Sequence, residues 1–223
     1  MKKKLTQQCF VAKHVMACLL CFCLCSPVSV WGLQEKNSEK TTTPNEGIHM
    51  DLSGTALLII DIQNDYFPDG KFELTGSVAA ADQAQKALTF FRSKGLPVIH
   101  IQHEYTGENP PFFAPDSDGQ KIHETVLPLP GEPVFIKHLV SSFEQTPLLE
   151  YLNNSKIKRL IIAGMQTNVC VLGTLEDALK KEFDIIVLKD ACAARDVSIH
   201  DQTLTVMEEK GVKVMSVDML TGD

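Results

Sequence analysis

The chain has 223 residues, 44% hydrophobic and 22% charged, with 28 Asp and Glu against 21 Lys and Arg for a net charge of −7. That acidic balance excludes the clustered basic surface that nucleic acid and anionic membranes reward. Five of the seven cysteines fall in the first 32 residues (Cys9, Cys18, Cys21, Cys23 and Cys25), so the remaining two, Cys170 and Cys192, are too few for a disulfide framework.

Residues 1–32 differ in kind from the rest. They carry Lys2, Lys3, Lys4 and Lys13, no acid, an apolar run from Val15 to Cys25, and small residues between Ser26 and Gly32. This is the pattern of a secretory signal peptide, and the run is about half of the roughly 20 residues that a membrane-spanning helix needs. The expectation is an exported protein, periplasmic or secreted, with no membrane attachment after cleavage; the alternative is an uncleaved anchor. Loss of the four lysines deepens the net charge from −7 to about −11. Residues 33–50 read as a disordered linker, because Gln34 to Gly47 (QEKNSEKTTTPNEG) has no apolar side chain to offset the entropy of ordering. Residues 51–220 are then long enough for one domain with one substantial core.

Six short apolar runs follow the linker: Ala56 to Ile60, Pro97 to Ile101, Pro133 to Ile136, Arg159 to Ala163, Asp184 to Leu188 and Val212 to Val217. Most are near-continuous Val, Ile and Leu, as in strands buried on both faces of a parallel sheet. Between them, Ala79 to Lys94, Leu172 to Lys181 and Ile199 to Lys210 have apolar residues at helical spacing, and Gly95 and Gly211 follow two of these as stop signals. Alternation of strand and helix predicts right-handed crossovers and a three-layer α/β sandwich. From His103 to Glu132 the chain holds Pro110, Pro111, Pro115, Pro128 and Pro130 and the pair Phe112 and Phe113. It reads either as a substrate lid or as a surface excursion held down by its aromatics.

Open parallel sheets bind ligands beyond the carboxyl ends of their strands. Three residues stand at such ends: Asp61 in DIQNDYF, Lys137 after EPVFI, and Cys170 in MQTNVCV after RLIIAG. A thiol in the first turn of a helix is biased toward thiolate. A lone cysteine also reads as a small buried hydrophobe, Asp61 as a turn cap and Lys137 as a snorkelling surface lysine. What distinguishes the functional reading is the coincidence of nucleophile, base and cation at three strand ends. His100, within a strand, reads as a core histidine, and Cys192 as structural.

The segments LLIIDIQNDYF, VFIKHLVSSFEQTPL and IIAGMQTNVCVLGTLEDAL resemble those of the isochorismatase-like cysteine hydrolase family, whose relatives include nicotinamidases and carbamoylsarcosine amidohydrolases. In the third segment Gly164, Thr167, Cys170, Val171, Thr174, Asp177 and Ala178 all fall on the family pattern. The resemblance spans Thr55 to Val217. It implies an α/β/α sandwich around a six-stranded parallel sheet of order 3-2-1-4-5-6, with Asp61, Lys137 and Cys170 catalytic. It also implies a cis peptide between Met165 and Gln166, and an oxyanion hole from the backbone N–H groups of Gln166 and Cys170. The metal-binding members' Asp-x-His is missing from HIQHEY, so no metal and no other cofactor is expected. Phe67, His103 and Phe113 are candidate pocket residues. The resemblance further implies a small-molecule substrate and a homo-oligomer. Its chemistry is C–N bond hydrolysis through a thioester; vinyl ether hydrolysis and a non-catalytic binding protein are the alternatives.

Overall fold

The computed structural model describes residues 50–222; the signal peptide and most of the linker expected from the sequence lie outside the described residues. The strands are β1 (Thr55–Ile60), β2 (Val98–His103), β3 (Val134–Lys137), β4 (Arg159–Met165), β5 (Asp184–Ala193) and β6 (Lys213–Met215). The helices are α1 (Ser77–Ser93), α2 (Leu148–Asn154), α3 (Leu172–Lys180), α4 (Val197–Glu209) and α5 (Val217–Thr221). The strands form one parallel sheet in the order β3-β2-β1-β4-β5-β6, as the resemblance implies. The chain therefore starts in the middle, winds to one edge and returns to β4 on the other side of β1. The switch point between β1 and β4 is where an open α/β sheet leaves a crevice.

All six residues of β1 are buried because the sheet is covered on both faces. Leu57 and Ile59 pack in one apolar layer with Ala80, Ala84, Ala87, Leu88 and Phe91 of α1. Ala56, Leu58 and Ile60 pack in the other with Leu148 and Leu152 of α2, Leu175 and Ala178 of α3 and Met207 of α4. Each fully buried Leu, Ile or Phe contributes roughly 1.5–3 kcal/mol, and these two layers carry most of that.

The differences from the sequence expectation have local causes. Strand β5 runs five residues past Leu188, since Ala191–Ala193 rejoin the sheet after an irregularity, with Cys192 opposite Gly164 and Ala193 opposite Met165. Strand β6 ends at Met215, because Ser216 caps α5 by accepting from the Met219 N–H and the Val217 N–H turns to Asp190 at 2.9 Å. Helix α2 has only seven residues, too few for a periodic signal. In the edge strand β3, Val134 and Ile136 are exposed, whereas a run buried on both faces was expected.

The segment from Glu104 to Pro133 has none of the sheet's strands and only a short 3-10 turn at Glu124–Val126. Asp65 holds it down, its carboxylate accepting from the Phe113 N–H at 2.6 Å and from the Lys71 N–H at 3.1 Å. Gly119 crosses directly over that carboxylate, where a Cβ would come within 2.2 Å of its oxygen. Phe112 and Phe113 turn inward onto Tyr66, with centroids at 5.7 and 4.6 Å. The surface-excursion reading is thus correct for the anchoring of this loop: its aromatics are core.

Candidate active site

Four adjacent strands, β3-β2-β1-β4, deliver one side chain each to the same level of the sheet. Asp61 follows β1 with its N–H still bonded to the Ile101 carbonyl at 3.0 Å, and then turns the chain at φ 51°. A non-glycine residue in the left-handed region costs about 1–3 kcal/mol and persists where surrounding contacts impose it. Lys137 closes β3 directly opposite His103, which closes β2. Past β4, Gly164 at φ 157° lets the strand press against Ile60, since a Cβ there would lie 2.4 Å from the Ile60 carbonyl oxygen. The Met165–Gln166 peptide is cis, as the family resemblance implies. Thr167–Val171 form a wide π-type turn before α3, and this turn carries Cys170. The sequence suggests an ordinary helical start near Asn168; the wider turn is the difference.

The side chains meet at the Lys137 ammonium. Its Nζ lies 2.8 Å from Asp61 Oδ2, 2.9 Å from His103 Nδ1, 3.0 Å from the Leu139 carbonyl and 3.3 Å from Cys170 Sγ. Asp61 is 0%, Lys137 1%, Cys170 6% and His103 7% exposed. Lys137 therefore does not snorkel. Four acceptors surround a group with three protons, so one of them is always under-served.

The charges follow from burial. Burial lowers the lysine's affinity for a proton, but the Asp61 carboxylate and the Cys170 sulfur offset this and hold it above its ordinary range. Burial raises the Asp61 carboxyl above the ordinary carboxylate range, with Lys137 opposing. The thiol of Cys170 is pushed well up by burial and then by the Asp61 charge, and Lys137 only partly offsets them. This corrects the expectation of a resting thiolate at a helix start: the resting group is a thiol beside a carboxylate. Cys192, buried in β5, is pushed up to about 12 by burial, with a hydrogen bond to the Gly164 backbone opposing and the Asp190 charge adding to it.

Supporting contacts fix the geometry. Gln63 accepts from the His103 N–H at 2.8 Å and donates to the His103 carbonyl at 2.8 Å, pinning the end of β2. Thr174 accepts from the Ser142 N–H at 3.0 Å, tying the segment after Lys137 to α3. Thr167 bonds His200 of α4 at 2.9 Å. The Tyr66 hydroxyl accepts from the Gln166 side-chain amide at 3.4 Å, and burial first, with any negative charge on Cys170 or Asp61 adding to it, raises that phenol well above its ordinary range. Gln63, Tyr66 and the Leu139 carbonyl were missed in the sequence; only their nearness to Asp61 and Lys137 along the chain could have drawn attention to them.

Of the pocket candidates, His103 joins the cluster, and Phe113 stands 6.1 Å from its ring. Phe67 stacks on His123 with centroids at 3.5 Å. His100 is a core histidine, paired with Glu132 at 3.0 Å. A cavity of about 640 Å³ lies at the opposite, amino end of the sheet, lined by Met50, Leu52, Phe90, Pro97 and Leu220. It holds none of the residues above.

Among the described residues, Asp61, His103 and Cys170 are the group able to hold a metal ion, with ligand atoms within 4.8 Å of one another. The Lys137 ammonium already stands among those atoms. A divalent ion there would face a buried like charge, so the residues do not fit a metal.

From Thr55 to residue 219 the chain matches the family model described as the isochorismatase domain. It belongs to the isochorismatase family. Two curated relatives are an uncharacterized isochorismatase family protein of Bacillus subtilis, 43% identical over 66% of this chain and 82% of the relative, and a secreted isochorismatase effector of Verticillium dahliae, 32% identical over 64% and 74%. A solved isochorismatase hydrolase structure from Oleispira antarctica has a TM-score of 0.73 at 38% identity, covering 76% of this chain and 96% of that one. The N-carbamoylsarcosine amidase structure from Thermoplasma acidophilum has a TM-score of 0.66 at 27% identity, covering 74% and 96%. This isochorismatase-like hydrolase shares the fold of both structures.

Proposed function

We propose that this hydrolase cleaves the C–N bond of a small amide, with Cys170 as nucleophile, Asp61 as proton carrier and Lys137 as the cation that holds the charge of both. The observation that carries this reading is the buried triangle in which one ammonium stands 2.8 Å from the Asp61 carboxylate and 3.3 Å from the Cys170 sulfur. The likeness to a protein named N-carbamoylsarcosine amidase supports C–N chemistry over vinyl ether cleavage.

The Cys170 proton passes to Asp61 as the sulfur bonds to the carbonyl carbon. Lys137 offsets the negative charge that gathers on the sulfur as its proton leaves; once the S–C bond forms, that charge lies on the carbonyl oxygen and meets the Gln166 and Cys170 N–H groups, and such donors are worth about 3 kcal/mol each. The tetrahedral carbon expels the amine, which leaves with the proton from Asp61. Water then adds to the thioester, giving its proton to Asp61. That proton returns to the sulfur as the carboxylic acid departs. A raised carboxyl pKa suits a group that must bind and release a proton in each half-reaction.

The N-terminal 32 residues are proposed to export the protein, in keeping with the secreted relative from Verticillium dahliae. The test of function is ammonia release from a panel of small primary amides, with and without a chelator. Release unaffected by chelation supports the reading; cleavage of vinyl ethers alone contradicts it.

A further inference from the structure

The mechanism above leaves one group unused. His103 is 7% exposed, and its Nδ1 accepts from the Lys137 ammonium at 2.9 Å. An ammonium only donates, so Nδ1 is the bare nitrogen and the ring proton sits on Nε2. That Nε2 is buried and meets no acceptor among the described residues. A flipped ring would bring carbon to the ammonium and lose the contact. Burial, and then the Lys137 charge, push the imidazole down to about 3, so the ring is neutral at neutral pH.

The ring cannot easily move to satisfy itself. Gln63 holds both backbone groups of the residue. Tyr105 stands edge-on at 4.9 Å and Phe113 lies tilted at 6.1 Å, and both pack against the layer of Tyr66 and Phe112. A buried N–H without a partner is costly, and native proteins seldom keep one without a use.

We propose that His103 is a positioning and specificity-determining residue: Nδ1 holds Lys137 against Asp61 and Cys170, while Nε2–H is reserved for an oxygen acceptor on the substrate beside the scissile carbonyl. The substrate class is then a small amide bearing a second carbonyl or carboxylate oxygen. An amide with an ammonium at that position is excluded, because donor would face donor. This inference rests on the proposed amidase reading.

Two substitutions separate the two nitrogens. Asn can present an oxygen near the place of Nδ1 and lacks the Nε2 donor; Gln reaches the Nε2 position and vacates Nδ1. Pyruvamide and isobutyramide, of nearly equal size, differ by the second carbonyl, and each is scored by kcat/KM and by its protection of Cys170 against iodoacetamide, which reads binding with or without turnover. For the parent, pyruvamide is favoured; for H103N the preference falls roughly 10- to 100-fold. For H103Q the labelling rate and its pH profile shift, since Lys137 has lost a partner. An H103N variant that keeps the parent's preference, or a parent that binds both amides equally, overturns the donor role; an H103Q variant with the parent's labelling profile overturns the Lys137 role. Loss of the amidase reading is seen separately, as turnover that persists in Cys170→Ala.

Discussion

Asp61 and Lys137 form an ion pair 2.8 Å apart, with both side chains wholly removed from solvent. Taking two charges out of water is expensive, and a pair of this kind is often no more stable than apolar residues of the same volume. Its retention at the switch point of the sheet, 3.3 Å from a thiol, is better explained by chemistry than by stability.

Removal of the lysine leaves the carboxylate buried alone. Lys137→Ala should lose about 3–5 kcal/mol of stability at neutral pH, measured by urea unfolding. In that variant the folded-state pKa of Asp61 rises further above its unfolded value. Its protonation relieves the penalty, so the gap to the parent should narrow as pH falls and widen as pH rises. A gap independent of pH would mean that Asp61 is not the charge left behind.

Removal of the carboxylate acts on the thiol in the opposite sense. After burial, the Asp61 charge is the second cause that raises the Cys170 pKa, and Lys137 lowers it. Asp61→Asn should therefore lower the thiol pKa and speed iodoacetamide labelling at pH 7, while turnover is lost. In the parent, labelling should keep rising through pH 9 without a plateau near neutrality. Slower labelling in the Asn variant would contradict this order of charges.

The long loop hangs on one carboxylate. Gly119→Ala places a carbon 2.2 Å from the Asp65 oxygen, and Asp65 cannot yield without releasing the Phe113 and Lys71 N–H groups. The variant should lose about 1–3 kcal/mol in thermal or urea unfolding and raise KM, because Phe113 stands next to His103. An unchanged KM would separate the loop from the site.

Glu132 ties three elements together through Arg92, the Leu129 N–H and His100. Burial opposes its charge, but those partners hold its carboxyl down at about 2. A depressed pKa gives stability that is present above the unfolded value and lost as pH falls toward 2. Glu132→Gln should cost about 1–2 kcal/mol at pH 7, discounted for partial solvent access, with the difference vanishing in acid.

The convergence of residues 61, 137 and 170 was legible because each lies at the carboxyl end of an apolar run, whereas the strand order and the cis peptide were implied only by the family resemblance of the segments around those residues. The charge state was not legible. A helix start argues for thiolate, but Cys170 lies buried in a π-type turn, and desolvation together with Asp61 outweighs the dipole. The contact between His103 and Lys137 was also hidden, because the two lie 34 residues apart and only the β2–β3 register brings them opposite. Short elements such as α2, and the return of β5 after Lys189 and Asp190, depend on packing that no window of sequence contains.

The central claim is that the sulfur of Cys170 becomes covalently acylated during turnover. Acid quenching of the enzyme during steady-state cleavage of an amide found in the panel, followed by mass measurement of the peptide carrying residue 170, tests it most directly. The account predicts an added acyl mass on Cys170, discharged by hydroxylamine, and no adduct and no ammonia release in Cys170→Ala, which keeps the parent's unfolding transition. Ammonia release by the alanine variant at the parent's rate would contradict it.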